Sequence, residues 1–357
     1  MSLRGEILEQ PAVLRRWLET HVAAAGGRPY EAMRGCVRAI MERDVEYVFL
    51  AARGTSDHAG VYAQYVWGSR NRLPVAFAAP SLFTRYDRFP HLRHALVVGI
   101  SQSGQSPDIV QVITEGRRQG APTLAITNDT SSPLAEAAEW NVDIQAGREL
   151  AVAATKTYTA ELIAIAGLSA ALAGDDRLEL EALETIPEAV QMALGLEPEA
   201  AEAAKRHAAI DQCVVLGRGY NYATAQEWAL KLKELAYVFT DVYSTADFQH
   251  GPIAVVRPGF PVLAVAPSGA VFEDEIALLQ RLRDDYGAEL LVISDNEDAL
   301  AFARGSGAAL RLPDGIPEWL SPIVGIIPAQ LYSYHLALHK GYDTEHPRTL
   351  TKVTRTR

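Results

Sequence analysis

The sequence predicts an α/β chain: a tandem repeat of two flavodoxin-like units, each a parallel sheet with helices on both faces, followed by a C-terminal tail. Three observations carry that expectation. Short apolar runs alternate with longer helical patterns, the rhythm of a parallel sheet covered on both sides. The runs fall into two sets of three. The turns that follow them recur at one distance: 165 residues separate Arg53-Gly54 from Arg218-Gly219, and the same 165 separate Ser103-Gly104 from Ser268-Gly269. Asn128 and Asp295, which close the third run of each set, lie 167 apart, a drift of two residues that a loop absorbs.

Taken in order, residues 1–42 read as a helical segment ahead of the first unit, which spans 43–178. Its strands are the runs Tyr47 to Ala51, Leu96 to Ile100 and Thr123 to Thr127, too short for helices and apolar on both faces. A helical linker over 179–208 contains Pro187 and Pro198. The second unit, 209–345, repeats the pattern with Cys213 to Gly217, Pro261 to Ala266 and Glu289 to Ser294. Ser321 to Lys340 forms a long apolar helix expected to break or kink at Pro328, because proline lacks the N–H that the helix needs. Residues 346–357 form a polar tail without periodicity.

At 357 residues and 48% hydrophobic content the chain has enough apolar surface for two cores. Its net charge of -11 argues against a nucleic-acid partner, whose phosphates are bound through clustered Lys and Arg. The two cysteines, Cys36 and Cys213, show no C-x-x-C spacing, so neither a disulfide framework nor a thiolate zinc site is expected, and a reducing cytoplasm is the natural location. No signal segment and no membrane span are read. No cofactor and no resident metal are expected either. His335 and His339 have the i, i+4 spacing of a two-histidine metal face, yet no third ligand accompanies them. Trp228, Trp319, Tyr332 and Tyr334 lie in apolar helical patterns and are assigned to the core.

The stretch Ser101-Gln102-Ser103-Gly104-Gln105-Ser106 joins the second run to a helical pattern opening at Pro107. A strand that ends in hydroxylated residues and turns straight into a helix presents free N–H groups and the positive end of the helix dipole to one point. A phosphate monoester fits there, with serine hydroxyls as donors and Gly104 permitting close approach. The plainer alternative is a polar turn with no ligand. Gly54-Thr55-Ser56, at the end of the first strand, should border the same cup. The matching loop of the second unit, Ala266-Pro267-Ser268-Gly269-Ala270-Val271, offers one serine, so a single phosphate cup per chain is expected.

Together with Gly54-Thr55-Ser56 and Ser101 to Ser106, four further stretches form a recognisable set: Ala153-Ala154-Thr155-Lys156, Leu230-Lys231-Leu232-Lys233-Glu234, His250-Gly251-Pro252 and Pro347-Arg348-Thr349-Leu350-Thr351-Lys352. The set resembles the sugar isomerase (SIS) domain family, most closely the isomerase half of glucosamine-6-phosphate synthases. Glu6-Ile7-Leu8-Glu9-Gln10-Pro11 looks like the opening of that half, so the likeness runs nearly end to end. The synthases carry an amino-terminal glutaminase domain with a cysteine nucleophile, whereas here Met1-Ser2 leads directly into the isomerase-like segment. The resemblance therefore implies a free-standing enzyme similar to type II glucosamine-6-phosphate deaminases, interconverting glucosamine 6-phosphate with fructose 6-phosphate and ammonia. A deglycase acting on fructosamine 6-phosphates is the alternative enzyme. A non-catalytic sugar-phosphate sensor is the alternative from another class, although such regulators usually carry a DNA-binding module for which the roughly forty residues before the first strand are too few.

The likeness assigns Glu234 as the proton shuttle between carbons 1 and 2, with Lys231 one helical turn away facing the same cavity. Without the likeness, an exposed ion pair would be the simpler reading of those two residues. His250 is assigned to ring opening, entering the site of a partner subunit, which implies a homodimer. Lys352 is assigned to imine formation with the ketose. Val152 and Thr351 would hold the sugar through their backbone, beside the phosphate contacts of Gly54, Thr55, Ser56, Ser101, Gln102, Ser103 and Ser106. The partner so implied is a hexose or hexosamine 6-phosphate. Five places depart from the synthase pattern: Gln105 for a glutamate, Ser106 for a threonine, Ala151 for a glycine, Ala246-Asp247-Phe248-Gln249 for Gly-Glu-Leu-Lys, and the ending Val353-Thr354-Arg355-Thr356-Arg357, which bears on closure of the tail. Neutral Gln105 cannot orient a cation as a carboxylate would, which bears on how the amine is handled.

Overall fold

A computed structural model describes residues 2–22, 28–174, 177–305 and 307–352. Helices α1 (Leu3–Leu8), α2 (Gln10–His21) and α3 (Arg28–Met41) come first. The first sheet region then runs β1 (Tyr47–Ala51), α4 (Thr55–Asn71), β2 (Val75–Phe77), α5 (Ser81–Thr84), β3 (Ala95–Ile100) and α6 (Pro107–Arg118). It closes with β4 (Thr123–Thr127), α7 (Pro133–Ala137), β5 (Trp140–Asp143) and α8 (Lys156–Ala173). Helices α9 (Arg177–Leu194) and α10 (Glu197–Arg206) follow. The second region runs β6 (Gln212–Gly217), α11 (Asn221–Ala236), β7 (Phe239–Ser244), α12 (Thr245–Phe248), β8 (Pro261–Val265) and α13 (Phe272–Asp284). It ends with β9 (Glu289–Ser294), α14 (Glu297–Ala303), β10 (Ala308–Arg311) and α15 (Ser321–His339).

Both sheets are five-stranded, and every pairing is parallel. The orders are β2-β1-β3-β4-β5 and β7-β6-β8-β9-β10, each the flavodoxin order of a doubly wound sheet. The expected duplication is thus present strand for strand. It extends past the sheets: α6 and α13 begin 165 residues apart, as do α8 and α15, and Gly54 and Gly219 share φ values of 56° and 58°.

The continuous apolar runs bury both faces of the central strands, β3 and β4 being buried at every position. Side chains alternate across the sheet. Ala95 and Val97 pack with Ile109, Val112, Ile113 and Leu134 on one side, while Val48, Leu96 and Leu124 meet Trp67, Ile40 and Leu168 on the other. In the second sheet Val214, Val262 and Leu290 pack against Leu278, Leu282 and Leu300. Four strands went unread in the sequence: β2, β5, β7 and β10. They are short or mixed in polarity and lie at the sheet edges. Helix α15 runs through Pro328 unbroken, contrary to the expected interruption, because it is buried along almost its whole length and packing outweighs one lost backbone bond.

The described residues form two compact units. One gathers Ala12–Glu149, Lys156–Thr185 and, from the tail, Thr351 and Lys352; the other gathers the residues up to Pro11, Leu150–Thr155 and Ile186–Leu350. Residues 353–357 of the expected tail lie outside the described residues. Among the described residues no helix is long and apolar enough to cross a membrane.

Candidate active site

In a doubly wound sheet the ligand crevice opens at the carboxyl ends of the strands where the order reverses. Here that point lies between β1 and β3, so Arg53 to Ser56 and Ser101 to Ser106 flank it. The serine turn is held by its own backbone. Ser101 N–H donates to Ile126 O at 3.1 Å, and Asn128 N–H donates to Gln102 O at 3.2 Å. Within the turn the hydroxyl oxygens of Ser101 and Ser103 accept from the N–H groups of Gly104 and Gln105 at 3.2 and 3.3 Å. Both hydroxyl hydrogens consequently point away from the turn's own bonds, and among the described residues nothing receives them. Ser106 is the N-cap of α6 but makes no side-chain capping bond, so its hydroxyl is also available at the positive end of that helix. Asp108, buried on the first turn, would repel an anion; Arg53 pairs with it at 2.9 Å and cancels that charge.

Gly104 has φ 60° and lies against Ser132, the N-cap of α7; a Cβ there would stand 2.0 Å from Ser132 Oγ. Gly104→Ala is therefore expected to cost about 1–3 kcal/mol and to weaken phosphate binding, measured as thermal melting with and without phosphate. Unchanged melting and affinity would contradict this geometry. Of the other predicted phosphate contacts, Gly54 caps α4 and Thr55 is half-buried. Ser56 is buried at the start of α4, and its hydroxyl donates to Glu161 Oε1 on α8 at 2.8 Å.

In the other unit, α11 carries Glu227, Lys231 and Glu234 on one face, since residues three and four apart stack along a helix. Lys231 Nζ lies 3.2 Å from Glu227 Oε1 and 2.5 Å from Glu234 Oε2. Lys231 and Glu227 are wholly enclosed, while the side chain of Glu234 keeps 21% of its surface. Burial alone would lower the lysine's pKa, but the two carboxylates outweigh it and raise the value above the ordinary one. The exposed-pair alternative is excluded for these residues. Among the described residues only Oε2 of Glu234 is engaged, which leaves its second oxygen to act on a ligand.

Lys352 donates to Glu149 Oε2 at 2.6 Å, and Glu149 is fully buried, also accepting from Thr157 Oγ1 at 2.8 Å. Val152 is half-buried in an irregular strip whose start is fixed by Glu6: its carboxylate accepts from Leu150 N–H at 2.5 Å and Ala151 N–H at 3.1 Å. The tail is tied to the end of α11. Arg348 N–H donates to Tyr237 Oη at 2.7 Å and its guanidinium lies 3.8 Å from that ring's centre. Thr351, next along, is exposed. His250 is exposed too, in a surface hollow of about 420 Å³ with Arg218, Gln249, Asp274 and Arg281. No hydrogen bond or ion pair among the described residues joins it to Glu234. His335 pairs with Glu197 at 3.0 Å.

Four residues that organise this chemistry escaped the sequence reading: Glu6, Glu149, Glu161 and Glu227. Glu227 sits four residues before Lys231 and was visible as a helical neighbour. The others act across long sequence gaps and leave no local signature.

A model of the SIS domain matches residues 43–172 and 208–340. Glutamine–fructose-6-phosphate aminotransferase (isomerizing) of Bordetella parapertussis is 36% identical over 319 residues, covering 87% of this chain and 52% of that protein. Its namesake in Xylella fastidiosa strain 9a5c is 34% identical over 360 residues, covering 98% of this chain and 58% of that protein. The chain thus spans about half the length of the curated relatives it matches. Among solved structures, the C-terminal domain of glucosamine-fructose-6-phosphate aminotransferase from Francisella tularensis matches with a TM-score of 0.86 and 27% identity, over 97% of this chain and 98% of that one.

Proposed function

The chain belongs to the SIS domain family, carrying that domain twice, and on that footing we propose that it is a sugar-phosphate isomerase that interconverts glucosamine 6-phosphate with fructose 6-phosphate and ammonia. The observation that carries this reading is the face of α11, where a partly accessible carboxylate is aimed by a sealed lysine. The serine turn takes the phosphate dianion through Ser101, Ser103 and Ser106 and the start of α6, with Gly54, Thr55, the backbone of Ser56 and Gln102 beside it. Val152 and Thr351 hold the sugar by their backbone.

His250 protonates the ring oxygen as the hexosamine opens to its aldehyde. Glu234 removes the proton from carbon 2 and returns it to carbon 1, converting the 2-amino aldehyde to a 2-imino ketose. Lys352 attacks carbon 2, expelling ammonia and forming an imine, and water then releases fructose 6-phosphate and the free lysine. Lys352 enters only after giving up Glu149, so tail movement accompanies turnover. The exposure of His250 and its separation from Glu234's ion-pair network favour a homodimer in which it serves the neighbouring subunit. Both cysteines are free, in keeping with a cytoplasmic enzyme.

Coupled detection of ammonia and fructose 6-phosphate from glucosamine 6-phosphate tests the reading, with equal amounts of the two products expected. Release only from amino-acid conjugates of fructosamine 6-phosphate would replace the substrate while keeping the site. Failure on the whole panel, with phosphate still bound, would overturn the enzymatic assignment in favour of a sensor.

A further inference from the structure

The second repeat has the same strand order, and its loop after β8 likewise leads into a helix, although Gly269 does not share the positive φ of Gly104. Glu318, in the short 3₁₀ turn before α15, stands 165 residues after Ala153, the offset that relates the two repeats. Its carboxylate accepts from Ala270 N–H at 2.9 Å, at the turn that leads into α13. A Cβ on Gly269 would fall 2.2 Å from Glu318 Cδ, and one on Gly219 would lie 3.9 Å from its Oε1. The side chain thus occupies the space bordered by the loops after β6 and β8, the same two loops that border the serine cup in the first repeat. Asp295, counterpart of Asn128, accepts from Ser268 N–H at 2.7 Å.

A second feature points the same way. Glu275, on the first turn of α13, is 1% exposed, and its Oε1 has no partner among the described residues. The charges acting on it are those of Arg218, Glu318 and Asp274, it also accepts from the Arg218 N–H, and the Arg218 side chain is itself paired with Asp274 at 2.8 Å. Burial, aided by its acidic neighbours, pushes the Glu275 carboxyl well above the usual range. A carboxyl shifted in that direction sets less negative charge beside Glu318 than an ordinary carboxylate would.

We infer that the second repeat retains an anion cup whose resident ligand is the chain's own Glu318 carboxylate, assisted by Asp295, and that these side chains confine phosphate to the first repeat. A carboxylate is a fair stand-in for two phosphate oxygens at a helix start. The comparison with the first cup rests on the phosphate reading given above; the occupancy of the second does not.

The test uses full-length protein and inorganic phosphate, with binding followed by calorimetry. In a Ser103→Ala, Ser106→Ala background the first cup is disabled, and no saturable site is expected. Adding Glu318→Ala and Asp295→Asn, the residues of the first repeat, is expected to bring one site per chain. A folded quadruple variant that still binds none overturns the inference. Phosphate binding that survives in the serine background alone instead faults the reading of the first cup. The wild type provides a check that needs no variant: crystals soaked in phosphate should keep Glu318 on Ala270 N–H, and an ion found there with Glu318 displaced overturns the inference as well.

Discussion

Glu234→Gln is expected to lower kcat by about 10²- to 10⁴-fold, the usual contribution of a positioned general base, while phosphate affinity stays unchanged. Glutamine keeps the shape of the side chain, so the helix and its packing survive. What is lost is the ability to take a proton from one carbon and return it to the next. The geometry makes this residue the sensitive one: Lys231 grips Oε2 at 2.5 Å and is wholly enclosed, so the carboxylate has one orientation and one unengaged oxygen. An amide in that place turns its NH₂ away from the lysine and toward the substrate, presenting a donor where an acceptor is required. The measurement is single-turnover conversion of glucosamine 6-phosphate beside a phosphate titration. A variant that retains a tenth of the wild-type rate would remove Glu234 from the proton transfer. Loss of phosphate affinity along with activity would mean instead that the substitution had disturbed the fold.

The central strands were legible because a strand buried on both faces writes itself as an unbroken apolar run: the runs read at Tyr47, Thr123 and Glu289 begin and end where β1, β4 and β9 do. Edge strands such as β7, with the sequence Phe-Thr-Asp-Val-Tyr-Ser, neither run apolar throughout nor alternate strictly, so no strand pattern marks them. The serine turn was legible for another reason. Its chemistry is local, carried by consecutive hydroxyls, a glycine and a helix start. The placement of Lys352 on Glu149 and of Glu6 on Leu150 joins residues 203 and 144 apart in the chain, and neither partner carries a pattern that announces the other. Ser56 shows what motif reasoning leaves out, for nothing local announces that its hydroxyl donates to Glu161, 105 residues away. The missing hydroxyls of the second loop implied one phosphate cup per chain, whereas the seat of Glu318 on Ala270 N–H joins residues 48 apart that no local pattern announces.

Lys231→Met is expected to destabilise the protein by about 3–5 kcal/mol, the cost of leaving a buried ion without its partner. Methionine approximates the aliphatic volume, so the loss is electrostatic rather than a cavity. Glu234 can turn to water through its exposed edge, but Glu227 is enclosed and loses the cation that faces it. The sign with pH separates this from a packing defect. In the wild type the pKa of Lys231 is raised, so its stabilising contribution is complete below the ordinary lysine value of about 10.4 and fades only as pH climbs through the folded-state value. The contribution of Lys231 is therefore intact near neutrality. In the variant a carboxylate enclosed without its lysine costs less when protonated, as any buried acid deprived of a cation does, so the deficit should be smaller near about pH 5 than near about pH 8. Urea unfolding at the two values measures it, and an equal deficit at both would point to packing. Adding Glu227→Leu should recover most of the stability, because a well-packed apolar pair can replace a buried ion pair at little cost. Activity should not return with it, since Glu234 no longer has the lysine that aims it. A double variant that regains both stability and turnover would reduce the triad to scaffolding.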